Sequence, residues 1–318
     1  RAEGDHGLVH GAVAVSEARS MDLVLPFTLG GGAFRGRLVR LHAAAQETIA
    51  RHRQPEPIGR LIGEALALSA VLGSSLKFDG VITVQTSSDG PVSRLVADMT
   101  SGGVVRASVA VDAERLAARI GAGGEPDFAE LVGKGHLALT VDQGENTDRY
   151  QGIVTIEGHS LAETAIAYFR QSEQIDTALL LAAAPPEGGF GWRAGGILLQ
   201  RLPSPAATLA GEEEADAWHT AEILLRSLTD RELLDPTLAA AEVLRRLFHQ
   251  SGLAVYEPSD VRFGCRCSRE RLVSVLAGLP PEDIVHAATD GTIEVTCDFC
   301  KTHYVFEINE IPSRSRGE

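Results

Sequence analysis

Apolar and polar positions alternate with a period near two over 22–29, 35–42, 80–87, 92–99, 104–111, 135–142, 149–157, 177–184 and 193–202, and each run predicts a β-strand. Between these runs apolar residues return every three or four positions, which predicts helices over 43–53, 58–76, 113–120 and 161–173. Mixed periods of this kind indicate an α+β fold, with a large α/β domain over 21–202 built on a mostly antiparallel sheet. Asp89-Gly90-Pro91 and Ser101-Gly102-Gly103 separate three consecutive strands, so 80–111 reads as an antiparallel meander whose edge offers a partner surface.

Pro203, Pro205 and the small residues up to Gly211 interrupt the pattern and predict a connecting stretch. A helix then opens on the acidic Glu212, Glu213, Glu214 and Asp216, with Trp218, Ile223, Leu224 and Leu228 on one broad face. A second helix over about 237–250 carries Leu238, Val243, Leu244, Leu247 and Phe248. Neither helix has a core of its own. Residues 203–260 are therefore expected to form a helical linker region docked on the large domain. Residues 1–20 show no sustained period and read as a flexible extension or a processed or artificial end, and 312–318 as a tail.

Composition narrows the function classes. Across 318 residues, 29 Lys and Arg stand against 43 Asp and Glu, giving a net charge of −14, so nucleic acid is not expected as a partner. A hydrophobic share of 44% excludes a disordered chain. No apolar run approaches the roughly 18 residues that span a bilayer, and no secretory signal pattern is visible, so a cytoplasmic protein without membrane partners is expected.

The four cysteines all lie between Cys265 and Cys300. Crowded thiols of this kind imply a metal or a redox centre rather than the staples of a secreted scaffold. Cys265-Arg266-Cys267 and Cys297-Asp298-Phe299-Cys300 are two close pairs separated by a segment long enough to fold back, which suits the four thiolates of one tetrahedral Zn²⁺. The alternating runs on either side of the second pair place it in a hairpin turn, and Ser268 after the first pair is a candidate N-cap for a helix carrying Leu272, Val273, Val275, Leu276 and Leu279. The single residue between Cys265 and Cys267 departs from the usual zinc-knuckle spacing, and thiols so close can also pair with each other across a strained ring.

Magnitudes set the consequence of oxidation. A module over 261–311 buries too little apolar surface to be secure alone, while a structural zinc supplies about 10–16 kcal/mol of apparent binding energy. Disulfides closing loops of three and four residues would each return only about 2 kcal/mol. Oxidation is thus expected to expel zinc and unfold the module, and the chemistry supports a switch as readily as a strut.

Other motifs carry less. Gly158-His159-Ser160-Leu161-Ala162 lacks the closing glycine of a nucleophile elbow, and Ser160 with Glu163 makes a helix cap. The glycine clusters at 30–32, 121–124 and 188–191 lack dinucleotide or P-loop spacing, and His42 and His52 lack metal-ligand spacing. No catalytic residue and no further cofactor-binding residue is assigned.

Several stretches in order resemble the bacterial heat-shock protein 33 family, a group of redox-regulated chaperones: 34–41 (FRGRLVRL), 76–91 (LKFDGVITVQTSSDGP), 168–177 (YFRQSEQIDT), 194–203 (AGGILLQRLP), 263–269 (FGCRCSR) and 294–304 (EVTCDFCKTHY). The resemblance implies one zinc per chain on Cys265, Cys267, Cys297 and Cys300 in a reduced, dormant state. It further implies that oxidation pairs Cys265 with Cys267 and Cys297 with Cys300, that the linker becomes unstable on activation, and that an oxidised homodimer binds unfolding client proteins without ATP. Asp176 departs from the family, where proline is expected after Ser-Glu-Gln-Ile; the change alters a turn and touches no cysteine. Two rivals remain open. One is a regulatory protein that contacts nucleic acid or polymerase through the arginines 262, 266, 269 and 271 of the zinc module. The other is a thiol-disulfide oxidoreductase using Cys297 and Cys300, although that pair is expected in a hairpin and not at a helix N-terminus, where a thiolate is activated.

Overall fold

Between Ile58 and Gly73 every residue except Arg60 and Glu64 is buried, so the longest helix of the chain has almost no polar side. A helix apolar all round cannot rest on a surface and needs cover on both flanks. The computed structural model, which describes residues 21–75, 79–144, 149–201 and 211–312, supplies that cover with two sheets.

In chain order the strands are β1 (Leu23–Leu29), β2 (Phe34–Leu41), β3 (Val81–Ser88), β4 (Val92–Thr100), β5 (Val104–Val111), β6 (Gly135–Asp142), β7 (Tyr150–Thr155), β8 (Thr177–Ala184) and β9 (Arg193–Arg201). Five short ones follow: β10 (Ala254–Val255), β11 (Ser259–Asp260), β12 (Arg262–Phe263), β13 (Thr292–Thr296) and β14 (His303–Glu307). The first sheet runs β10-β1-β2-β9-β8 with β11 also on β1, and the second runs β12-β5-β4-β3-β6-β7. All pairings are antiparallel except β12 on β5. The nine strands expected from alternation are present, divided between two sheets. Helix α1 (Ala43–His52) leads into α2 (Glu56–Gly73), the buried helix between them, where Leu61, Ile62, Leu66, Leu68 and Val71 join one continuous core.

Helices α3 (Ala113–Gly121), α4 (Phe128–Val132) and α5 (Leu161–Tyr168) complete the body. The helix expected over 161–173 ends early in a wider π turn, Phe169–Glu173, closed by Gln174 at φ 55°. That turn is tied down by the Tyr168 and Tyr150 hydroxyls, which both donate to one oxygen of Glu173, at 2.6 and 2.7 Å. Ser160 is the expected cap, its Oγ accepting from the Glu163 amide at 3.1 Å. Asp176 precedes β8 directly; its carboxylate lies 3.5 Å from Arg201, whose amide donates to the Asp176 carbonyl at 3.0 Å.

The outer face of the first sheet is covered by α6 (Glu212–Ser227), α7 (Asp230–Leu233) and α8 (Ala240–Phe248). Trp218, Ala221 and Leu225 of α6 and Val243, Leu244 and Phe248 of α8 pack on Phe27, Phe34, Leu38, Ile197 and Leu199. Phe34 meets Trp218 edge-on at 5.3 Å and Phe27 stacks on Phe248 at 5.9 Å. These helices are docked, as their bare apolar faces require. Buried Arg40 of β2 fastens their connection by donating to the carbonyls of Leu238 and, at 3.1 Å, Glu232.

The chain then runs extended along β1 and crosses to β5, so residues 254–263 join the edges of both sheets. At the crossing, Gly103 has φ 75° and a Cβ there would stand 2.5 Å from the Asp260 carbonyl oxygen, a close approach only glycine permits. Strands of two residues leave no alternation, which is why periodicity did not reveal them. The stretches 1–20 and 203–210, and the tail beyond 312, lie outside the described residues. Among the described residues no helix is long and apolar enough to cross a membrane.

Candidate metal centre

The C-terminal module is built around very few apolar side chains. Leu276, Ile284, Ile293 and Phe306 form its buried cluster, contributed by α9 (Arg269–Leu276), α10 (Pro281–Ala287) and the hairpin β13–β14. Ser268 caps α9 by accepting from the Arg271 amide at 3.2 Å. Helix α9 ends at Leu276, and Pro281 begins α10 as its first residue, where a missing N–H costs nothing.

Cys265 and Cys267 lie on the short link between β12 and α9, and Cys297 to Cys300 form the turn between β13 and β14. That turn is closed by the Cys297 amide on the Thr302 carbonyl (3.0 Å) and the Lys301 amide on the Cys297 carbonyl (2.9 Å), with Lys301 at φ 56°. The fold therefore brings the two pairs together from separate elements. All four sulfurs lie within 4.8 Å of one another. Cys265 Sγ is 3.7 Å from Cys297 Sγ, and Cys267 Sγ is 3.3 Å from Cys300 Sγ. Four sulfurs each about 2.3 Å from a tetrahedral ion would stand about 3.8 Å apart, so the donor set fits a single soft metal ion. His42 and His52 take no part; His52 Nε2 sits 3.0 Å from the Ala107 carbonyl.

Polar groups around the sulfurs fix their protonation. The Tyr304 hydroxyl is 3.3 Å from Cys267 Sγ and the Thr302 hydroxyl is 3.2 Å from Cys300 Sγ. Burial pushes the Cys267 thiol up to about 12 and also raises Cys297. Burial opposes ionisation at Cys300 as well, yet hydrogen bonds from Thr302 and from the Cys267 and Cys265 thiols bring it down to about 6. Cys300 is thus held closer to ionisation than Cys267 and Cys297, and a metal ion bound by thiolates would displace thiol protons.

The large domain reaches into this centre with residues that no sequence signal had singled out. Arg106 of β5 donates to Cys265 Sγ at 3.9 Å, lies 3.8 Å over the Phe299 ring, and pairs with the buried Asp98 of β4 at 2.9 Å. Asp98 and Arg106 are direct cross-strand partners in register. Arg51 of α1 donates to the Cys300 carbonyl at 3.1 Å and covers the Phe263 ring at 5.1 Å. In sequence these are ordinary polar positions, and only their pairing across the module shows what they do.

With that geometry in view, comparison with known proteins is informative. The family model described as Hsp33 protein matches residues 22–307. A 33 kDa chaperonin of Caulobacter vibrioides is 40% identical over 286 residues, covering 89% of this chain and 94% of that protein. A 33 kDa chaperonin of Escherichia coli is 37% identical over 280 residues, covering 88% and 90%. Among solved structures, the 33 kDa chaperonin from Thermotoga maritima superposes with a TM-score of 0.77 at 25% identity, over 92% of this chain and 97% of that one.

Proposed function

The chain belongs to the Hsp33 protein family, and on that premise we propose that it is a redox-regulated holdase chaperone whose resting form carries one zinc ion on Cys265, Cys267, Cys297 and Cys300. The observation that carries this reading is the convergence of the four sulfurs onto one small volume in a module with little core of its own. Zinc there would supply the binding energy that the module's apolar residues do not.

Oxidation of Cys265 with Cys267 and of Cys297 with Cys300 removes the four ligands together. The module then loses its fold, and the linker helices α6 to α8, which hold to the body through one apolar face, lose the anchored segment that follows them. Their departure from the first sheet would uncover Phe27, Phe34, Leu38, Ile197 and Leu199, a surface suited to the apolar segments of unfolding proteins. The division of labour follows the proposed boundaries: body 21–202, linker 203–260, switch module 261–311. Nothing in the described residues presents a nucleotide-binding glycine loop with its lysine, and we assign activity without ATP, in the cytoplasm, by an oxidised homodimer. The relatives' name, chaperonin, is that of a chaperone and not of an enzyme.

One experiment tests the whole reading. Zinc content, thiol count and suppression of client aggregation are measured on reduced protein and again after peroxide at elevated temperature. The expected result is one zinc and no protection before, and zinc loss, two disulfides and protection after. Reduced protein that is equally protective, or oxidised protein that keeps its metal while protecting, would overturn it.

A further inference from the structure

We propose that the large domain holds the metal module by an electrostatic latch, in which Arg106 bridges Asp98 of the body and the thiolate cluster of the module, and that loss of the cluster's charge opens it. The inference rests on the reading of the four cysteines as a redox-sensitive zinc centre.

The charges are arranged for such a latch. Asp98 is 4% exposed and Arg106 12%, so their pair is shielded from water and little screened by salt. A second cation shares the same carboxylate oxygen: Arg266, which lies between the two ligands Cys265 and Cys267, approaches Asp98 Oδ2 at 2.8 Å while Arg106 Nη2 stands 2.9 Å from it. Nitrogens bound to one oxygen at those distances lie within roughly 6 Å of each other, where two unit charges repel unless further negative charge offsets them. One carboxylate cannot neutralise two guanidinium groups. Asp142 on β6 acts on Arg266 only weakly, and the negative charge nearest Arg106 comes from the module, where four thiolates on one divalent ion leave two net negative charges and Arg106 donates to one of the sulfurs.

Oxidation removes that charge. At each pair one thiolate attacks peroxide, breaking the O–O bond to give a sulfenic acid and hydroxide; the second thiolate then displaces hydroxide from that sulfur to form the disulfide. Two electrons pass from sulfur to each peroxide, two hydroxides leave per pair, and the metal departs as a hydrated cation. What was a doubly negative cluster becomes neutral. Arg106 on the body and Arg266 on the module are then left facing each other across Asp98, with the partly exposed Asp142 carboxylate only a weak further partner of Arg266, and their repulsion drives the module off the sheet. Arg106 is a positioning residue in this scheme, since it touches a ligand and not the metal.

The test uses full-length, reduced, zinc-loaded protein with peroxide as oxidant and a chromophoric chelator to read zinc release. R106M is expected to bind one zinc but to release it about tenfold faster, the effect typical of losing an outer-shell partner, and to lose hydrogen-exchange protection over 262–267 before any oxidant is added. The sulfur-to-metal charge-transfer band of the cobalt-substituted protein should shift in R106M and return toward wild type in R106K, which keeps the charge. A purely structural role would leave that band in place. Wild-type release rate, exchange and cobalt spectrum in a folded R106M would overturn the latch. Should R106M not fold, D98N decides: its zinc release should be faster than that of the wild-type protein, and an unchanged rate refutes the proposal. Wild-type protein that takes up no zinc, or keeps it in peroxide, refutes instead the reading on which the latch rests.

Discussion

Helix α2 and the hairpin β13–β14 represent two ways of being stable in one chain. The first is enclosed by two sheets and surrounded by leucine, isoleucine, valine and alanine side chains with no access to water. The second rests on Leu276, Ile284, Ile293 and Phe306, flanked by partly exposed neighbours, with Val275, Val285 and Val305 open to solvent. Apolar burial near 25 cal/mol per Å² makes the first region independent of any ligand. The second has too little such area, and four converging sulfurs stand where more core would be needed. The difference teaches where a redox signal can act: thiolates are consumed by oxidants and methyl groups are not.

The sharpest way to break this contrast is to remove ligands. Replacing both Cys297 and Cys300 by Ser should abolish zinc binding and with it about 10–16 kcal/mol of metal-derived stabilisation. Hydrogen exchange should rise throughout 261–311 while the melting of the two-sheet body is unchanged. A module that stays protected without metal would mean that its small core suffices.

The converse substitution lies in α2. Leu66 is fully buried, and Leu66→Ala should cost the body about 2–5 kcal/mol, read from its denaturant midpoint, with zinc affinity unchanged. Equal losses in both regions would show that the two fold as one unit.

How much of this was legible beforehand depended on the range of the determining interaction. Alternation over 81–88 and 92–100 is local and gave strands, and the two cysteine pairs carried their chemistry in their spacing. The assignment of strands to two sheets was not local: Leu38 faces Ile197 in register across more than a hundred residues, and nothing in either segment names the other. The short helices α4 and α7 did leave a readable trace, the Asp127/Glu130 and Thr229/Glu232 capping boxes, which lack the apolar periodicity of a longer helix. Arg106, Asp98 and Arg51 left none, because a polar residue in a strand reads as solvent-facing until a second domain is placed over it.

A smaller effect is expected between these extremes, at the joint of linker and body. Arg40→Met removes the charged donor that holds the part-buried Glu232 and Leu238 carbonyls, at a cost of about 1–3 kcal/mol. Exchange should rise over 229–250 with the zinc still in place, and reduced protein should gain partial chaperone activity. Unchanged exchange there would assign the docking to the apolar faces alone.

The smallest effect is a pH dependence at the same joint, and its sign is fixed. Glu64 of α2 is pushed up to about 7, first by burial and then by the nearby charge of Asp230 on α7, with Arg60 opposing both. Asp230 is itself raised by burial. In the unfolded chain Glu64 ionises near 4.5, so between that pH and about 7 the folded protein holds a proton the unfolded chain has released. The stabilisation is fully present below pH 4.5 and is lost as pH rises to about 7 and the folded carboxyl ionises. Glu64 keeps some solvent contact and Arg60 is close, so the change is expected to be about 1–2 kcal/mol and not the full value of the shift. Denaturant midpoints of the reduced protein should fall from pH 5 to pH 8, and Glu64→Gln, which keeps the shape and cannot ionise, should flatten that fall. Ionised Glu64 facing Asp230 should also loosen α7, raising exchange over 229–235 after correction for the intrinsic rate. A wild-type profile as flat as that of the variant would show that Glu64 is ionised in both states and that the linker joint carries no proton.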